Sequence, residues 1–348
     1  MSYKISVIIP TFNSEKFIET TIKSVMEQSI GFENIELILI DDFSQDNTPK
    51  IINEYCENYE NIVTYKLDEK AGAPGNARNI GIEQSNGEYL MFMDHDDYYP
   101  KNSLETLYNK INGKDKSIVI GRFKAFGIAD WESDMWVEEE LKINDISENT
   151  SFLTINNIWR MIFPKKLLIE NNIRFPEKIF AEDLAFMIES YFNADEIIFM
   201  PNIVYCFRIR ESDNSSTSYS KSSHYISKLL DGYYYTRNIM KKYSKCEFYD
   251  LLFSMHLGSW IDNIINSELN DNEVYDLIND SQDLFKDLNY IDFNINPNFE
   301  VYRVICENLR DGNFSKGYDE LLSLKNGVSV ENNDNKGFKS KLKGLFKG

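Results

Sequence analysis

Cysteine is scarce and scattered. Cys56, Cys206, Cys246 and Cys306 are the only four among 348 residues, and no two share a CxxC spacing. That excludes a disulfide framework and a thiolate zinc site, and it suits free thiols in a reducing compartment. Long apolar runs are missing too. No stretch approaches the ~20 apolar residues that span a bilayer. The opening MSYKISVIIPTFN meets Pro10 and polar residues too early to act as a secretory leader. Basic charge is in deficit, with 37 Lys and Arg against 56 Asp and Glu and a net charge of -19. Such a chain repels nucleic-acid phosphates, so nucleic acid is not expected as a partner. A GxGxxG after the first apolar run is lacking as well, which weakens a dinucleotide-binding reading.

What the chain does have is rhythm. Hydrophobic residues make up 42%, enough for a packed core. Short apolar runs at Ile5–Ile9, Leu37–Ile40, Ile62–Tyr65, Tyr89–Met93 and Ile118–Ile120 read as buried parallel strands. Helical patterns separate them: Ile18, Ile22, Val25 and Met26 share one helical face, and Thr48-Pro49 offers an N-cap followed by proline. This alternation predicts an α/β domain built on a mostly parallel sheet flanked by helices. Residues 124–157, with Trp131, Trp136 and the acids Glu138, Glu139 and Glu140, break the rhythm and read equally as a lid or as a surface excursion. The expected division is 1–222 for the α/β domain, 223–330 for a C-terminal helical subdomain rich in Tyr, Phe and Leu, and 331–348 for a basic tail. No internal repeat is present.

Chemistry concentrates where apolar runs end. Met91-Phe92-Met93 runs into Asp94-His95-Asp96-Asp97. Ligands of open α/β sheets bind beyond the carboxyl ends of strands, and extended geometry puts Asp94 and Asp96 on one side with Asp97 turned aside. Clustered carboxylates need a cation or a hydrogen-bond network, and their hard oxygens suit Mg²⁺ or Mn²⁺ shared with a diphosphate. Alone, such a run is equally a solvated acidic turn. A second pair, Asp41-Asp42, follows another run, with Ser44, Asp46 and Thr48 crowding the same loop. A third stretch, Ala71 to Gly81, combines small residues that allow close backbone approach with Arg78 and Asn79.

Taken in order, Val7-Ile8-Ile9-Pro10-Thr11-Phe12-Asn13, then Asp41-Asp42 with Ser44, then Arg78-Asn79 with Gly81, then Asp94-His95-Asp96-Asp97 resemble the family 2 glycosyltransferases of GT-A fold, over about residues 1–215. The resemblance implies that Pro10, Thr11, Asn13 and Asp42 hold a uridine, that Arg78 and Asn79 contact the nucleotide, and that Asp94 and Asp96, with Asp97 beside them, bind ribose and a Mn²⁺ or Mg²⁺ ion. It also implies a catalytic base in the pair Glu182-Asp183, with Asp183 as the base; helix capping accounts for the same acids. Asn172-Ile173-Arg174-Phe175-Pro176-Glu177 and Arg210-Glu211 followed by Ser215-Ser216 look like the bacterial enzymes that glycosylate wall teichoic acid and related surface polymers. In those the last loop closes over the donor diphosphate, which points to Arg210, Ser215 and Ser216. Where many relatives carry Trp-Asn-Lys, this chain has Trp159-Arg160-Met161, and Trp159 reads either as a sugar platform or as core.

The implied activity is inverting transfer of a hexose, such as GlcNAc, from a UDP-sugar to a cell-surface glycopolymer or its lipid-linked precursor. The alternatives are a protein or polyprenyl-phosphate acceptor, and a catalytically silent glycan-binding module. The tail Lys336–Gly348 carries five lysines and no acid, with Phe338, Leu342, Leu345 and Phe346 at helical spacing. It reads as a peripheral contact with the anionic inner face of the membrane, or as a solvated tail. The expected location is cytoplasmic, and the oligomeric state is left open. His95, His224 and His256 are read first as non-ligands.

Overall fold

Four apolar runs of the first half become strands β1 (Tyr3–Thr11), β2 (Ile35–Asp41), β3 (Ile62–Lys66) and β4 (Gly87–Phe92). The computed structural model describes residues 3–134, 137–155, 157–210, 222–294 and 296–327. In it these strands lie parallel in the order β3-β2-β1-β4. Ile5–Ile9 and Leu37–Ile40 are fully buried along their whole length. Helices cover both faces of a parallel sheet, so its strands are apolar throughout rather than alternating.

The connecting helices are α1 (Ile18–Met26), α2 (Thr48–Asn58), α3 (Pro74–Gln84) and α4 (Ser103–Ile111). Helix α1 buries Ile18, Thr21, Ile22 and Val25. Helix α2 carries Pro49 in its first turn as expected, but its N-cap is Asn47. Thr48 is instead the first helical residue, and its hydroxyl accepts the Ser14 amide at 2.7 Å.

The second half continues the same sheet. Its strands are β5 (Ser117–Gly127), β6 (Trp131–Glu132), β7 (Leu141–Ile143), β8 (Met161–Pro164) and β9 (Glu196–Ile209). Strand β8 lies antiparallel between β4 and β5, β9 runs parallel to β5, and β7 closes the far edge. Described parts of the segment 124–157 join the sheet. They extend β5, fold β6 back on it, and bury Ile143, Ile146, Phe152, Leu153 and Ile155. Arg160 fixes it from beneath through an ion pair with Asp134, with its guanidinium over the rings of Phe123 and Phe199 at 5.1 and 5.6 Å. Helices α5 (Lys165–Glu170) and α6 (Glu182–Asn193) follow β8.

The chain divides into two compact units, Met1–Ser220 with Lys228–Phe248, and Lys221–Ser227 with Tyr249–Gly348. The boundary expected at 222 thus meets helix α7 (Ser223–Lys242), whose body groups with the first unit. The second unit is helical, built from α8 (Tyr249–Ile265), α9 (Asp271–Lys286), α10 (Arg303–Arg310) and α11 (Phe314–Lys325). Its core holds Trp260, Phe253 and Phe285, fully buried, and Trp260 donates to the Ile226 carbonyl at 3.0 Å. An Asn270–Glu273 capping box starts α9. His256 is packed in α8, where burial pushes its pKa down to about 4. Among the described residues no helix is long and apolar enough to cross a membrane.

Candidate active site

The sheet order places β1 between β2 and β4, so the direction of chain crossover reverses there. Crevices at such points, beyond the carboxyl ends of strands, are where open α/β sheets bind ligands. Thr11, Asp41 and Asp94 stand at or just past three adjacent ends. Pro10 pairs with Ile40 inside the sheet, and Thr11 is buried with its hydroxyl on the Ile40 carbonyl at 3.3 Å.

The loops after β1 and β2 are stitched together side chain to backbone. Asn13 adopts a left-handed φ of 46°. Its amide donates to Ser44 Oγ at 2.9 Å, and its Oδ1 accepts the Gln45 amide at 2.9 Å. The Glu15 amide donates to Asp46 at 3.1 Å. Asp42 accepts the Ala71 amide at 2.6 Å, which ties the end of β2 to the loop entering α3. Its neighbour Asp41 is 2% exposed and has one carboxylate oxygen, Oδ1, without a hydrogen-bond partner. A buried acceptor left unpaired is costly.

Helix α3 approaches the turn before α6 closely. A Cβ on Gly75 would meet the Pro176 carbonyl, the Phe175 Cβ and Glu182. Asn79 exchanges both amide bonds with the Phe175 backbone, at 2.8 and 2.9 Å. Arg78 is buried and bridges two distant segments: Nη1 meets Glu182 at 2.7 Å and Nη2 meets Asp94 at 3.1 Å. Burial alone would depress the Arg78 pKa, but Glu182, Asp94 and Asp183 outweigh it and raise it. Beneath this bridge lies an aromatic block. Phe175 and Phe186 stack at 3.9 Å, and Phe92 meets both edge-on at 5.1 and 5.5 Å.

Helix α6 begins in strain. Its N-cap, Ala181, is left-handed at φ 58° and ψ 31° and makes no side-chain cap. Such outliers persist only where the surroundings hold them. Here the body of α7 does so, because a Cβ on Gly232 would run into the Phe180 carbonyl and stand 3.2 Å from the Ala181 Cβ. Asp183 lies in the first turn, with one oxygen on the Leu184 amide at 2.9 Å. Burial and the neighbouring Glu182 charge push its pKa up to about 7. Glu182 is raised as well, by burial, against the pull of Arg78.

Each acid after β4 has its own partner. The Asp94 side chain is 35% exposed and held by Arg78. Asp96 pairs with Arg210 Nε at 2.8 Å. Asp97 is buried, accepting the Tyr205 hydroxyl at 2.7 Å on one oxygen and the Arg208 amide at 2.7 Å on the other. Burial, then the charges of Asp96 and Asp94, hold its pKa well above the carboxylate range. The Tyr205 hydroxyl also accepts the Asp94 amide at 3.1 Å, and Trp159, expected as platform or core, stacks on its ring at 4.3 Å as core. Tyr205 and Arg208 escape a reading of the sequence because an aromatic in an apolar strand looks like core. The available signal was Arg208 and Arg210 two residues apart, sharing one face at a strand's carboxyl end.

The structure thus brings Arg78, Asp94, Asp96, Glu182, Asp183 and Arg210 into one constellation, while Asn79, Asp97 and Asn13 use their side chains on the protein itself. Ser215, Ser216 and the tail Lys336–Gly348 lie outside the described residues. Among the described residues no three carboxylate, imidazole or thiolate groups converge as a metal cage. Asp94, 35% exposed beside Arg78, presents hard oxygens suited to a cation that takes its other ligands from phosphate and water, whereas Asp96 is 10% exposed and covered by Arg210.

Comparison with known proteins adds to this geometry. The family described as "Glycosyl transferase family 2" matches residues 6–165. A poly(ribitol-phosphate) beta-glucosyltransferase of Bacillus spizizenii is 30% identical over 230 residues, covering 66% of this chain and 36% of that protein. The poly(ribitol-phosphate) beta-N-acetylglucosaminyltransferase TarS of Staphylococcus aureus is 30% identical over 219 residues, 62% of this chain and 37% of its own. The chain therefore matches little more than a third of the length of these two relatives. Glycosyltransferase GlyG of Streptococcus pneumoniae, 30% identical over 232 residues, is covered over 76% of its length and covers 64% of this chain. In structure, residues 1–349 of S. aureus TarS bound to UDP-GlcNAc superpose with a TM-score of 0.75 at 22% identity, covering 96% of this chain and 95% of that one. That likeness establishes the GT-A fold.

Proposed function

The chain belongs to glycosyltransferase family 2, and on that premise we propose that it transfers a hexose from a UDP-sugar to a hydroxyl of a cell-surface glycopolymer of the poly(ribitol phosphate) kind, with inversion at the anomeric carbon. The observation that carries this reading is Arg78, which ties Asp94 at the strand end to Glu182 beside Asp183. Arg78 thereby couples the acid we assign to the donor with the helix that carries the base.

Asp183 is the general base. A carboxyl whose pKa is about 7 takes a hydroxyl proton far better than an ordinary carboxylate does. As Asp183 accepts that proton, the acceptor oxygen bonds to the anomeric carbon. The bond from that carbon to the diphosphate oxygen breaks, and UDP departs with the electron pair. Attack opposite the leaving group makes a β-linked product from an α-linked donor. Arg78 keeps Glu182 ionically occupied, so Asp183 is the acid of the pair that is open to the acceptor. Asp42 is the acceptor we assign to the base N–H of a uridine. Asp94 and Asp96 are the residues that would hold Mn²⁺ or Mg²⁺, and bound there the ion offsets charge on the departing diphosphate. Asp97 supports them from below.

The polymer assignment rests on what the relatives' names say of them; with it we propose a reaction on the cytoplasmic side and residues 336–348 as a basic contact to anionic lipid. Each lysine near such a surface contributes ~1 kcal/mol. Transfer of labelled sugar from a panel of UDP-sugars to purified poly(ribitol phosphate), with and without Mn²⁺, tests the proposal. Failure of every donor to label the polymer, with donor hydrolysis intact, overturns the acceptor. Failure of both overturns the enzyme. Flotation with anionic liposomes tests the tail: equal recovery with and without residues 336–348 removes the membrane contact.

A further inference from the structure

We infer that Arg210 stands in for the cation on Asp96 and has to leave before a divalent ion binds, so that metal and nucleotide diphosphate enter the site together. This rests on the donor and metal reading above, and adds to it an order of binding set by a residue of the chain itself.

Three arginines touch the acidic run, each at a different point. Arg78 is buried and held at both ends of its guanidinium, by Glu182 at 2.7 Å and Asp94 at 3.1 Å. Arg208 gives its amide to Asp97 and its Nε to the Asp96 carbonyl, both at 2.7 Å, with its guanidinium 5.1 Å from the Phe17 ring and 4.5 Å from that of Phe126. Arg210 is the first residue past β9. Its Nε lies 2.8 Å from Asp96 Oδ2, and its guanidinium sits 5.5 Å from Phe17. Both side chains of this pair are largely buried, 19% exposed for Arg210 and 10% for Asp96.

A guanidinium and a divalent cation on the same carboxylate repel one another; Asp94 still has 35% of its side chain open beside Arg78, whereas Asp96 is 10% exposed and covered by Arg210. The metal alone must therefore displace Arg210 without offering it a new partner. A diphosphate changes that balance, since it presents oxygens that a guanidinium binds bidentately. Arg210 then exchanges one anion for another, and the cation takes its place on Asp96. If the pair is closed for about 90–99% of the time, the apparent affinity for metal alone falls about 10- to 100-fold, because binding sees only the open fraction.

The test is Mn²⁺ binding to the intact chain, followed by electron paramagnetic resonance of free and bound ion, with and without UDP. Wild type should bind Mn²⁺ weakly alone and about tenfold or more tighter with UDP. Arg210→Gln should bind Mn²⁺ alone roughly tenfold tighter than wild type and lose most of the UDP enhancement. Arg208→Gln removes a nearby positive charge that does not sit on the Asp96 carboxylate, and should gain much less. Unchanged or weaker metal binding by Arg210→Gln without nucleotide overturns the inference, as does an equal gain in Arg208→Gln. Absence of Mn²⁺ binding in every sample overturns it together with the metal reading, whereas UDP binding in those same samples leaves the donor reading intact.

Discussion

Replacing Asp183 by Asn separates catalysis from stability, because one feature, the buried acid, drives both. The carboxyl is held at a pKa of about 7 against a reference near 3.8. The folded chain therefore keeps a proton that the unfolded chain releases over this interval. Folded protein binds more protons, so stability falls as pH rises from about 4 to about 7, and the loss stays in full above 7. Three pKa units at 1.36 kcal/mol each give an upper bound of about 4 kcal/mol. Residual solvent contact and the shared titration with Glu182 reduce this to about 1–3 kcal/mol.

Asparagine has the same shape and no charge to bury. Asp183→Asn should therefore melt higher than wild type at pH 8 and alike at pH 4, while transfer falls roughly 10²–10⁴-fold with UDP affinity nearly unchanged. Wild-type transfer should rise with pH through an acid limb near 7. Melting curves at the two pH values and initial rates with the polymer acceptor measure all of this. A variant that keeps full transfer, or melts lower at pH 8 than at pH 4 relative to wild type, refutes the argument.

Arg78→Lys keeps the charge but cannot span Glu182 and Asp94 at once; kcat should drop about 10- to 100-fold, with a smaller change in donor KM. Gly232→Ala drives a methyl into the Phe180 carbonyl; it should cost about 1–3 kcal/mol of stability and lower kcat further than its melting point explains, since the cap carrying Asp183 moves. Tyr205→Phe takes a donor from buried Asp97 and should cost about 1–3 kcal/mol, read by urea denaturation.

The parallel half of the sheet was legible because burial on both faces leaves uninterrupted apolar runs, and Asp94 to Asp97 stood out because charge follows such a run abruptly. Strand β8 was not legible. Met161–Pro164 is four apolar residues next to a helix, and no local pattern distinguishes an antiparallel strand between β4 and β5 from a helix lead-in. The segment after Gly127 misled for another reason. Its acids face solvent, and the apolar residues that dock it, Ile143, Ile146 and Phe152, are too widely spaced to show a period. At the site, residue types were readable but partners were not. The link from Arg78 to Glu182 spans 104 positions, and whether Asn13 and Asn79 point at a ligand or at their own backbone is decided only by folding.

The stacked phenylalanines have a mechanical consequence. Phe92 lies two positions before Asp94, and Phe186 three after Asp183, and their rings touch across a tightly packed seam. Close-packed interiors transmit displacement instead of absorbing it. Anything that tilts the helix bearing Asp183 should drag the opposite carboxylate along with it, so the gap between the two is kept while each drifts relative to the rest of the domain. Warming such an assembly should leave turnover per folded molecule on a smooth curve up to the melting point, with activity vanishing when the seam parts rather than eroding beforehand.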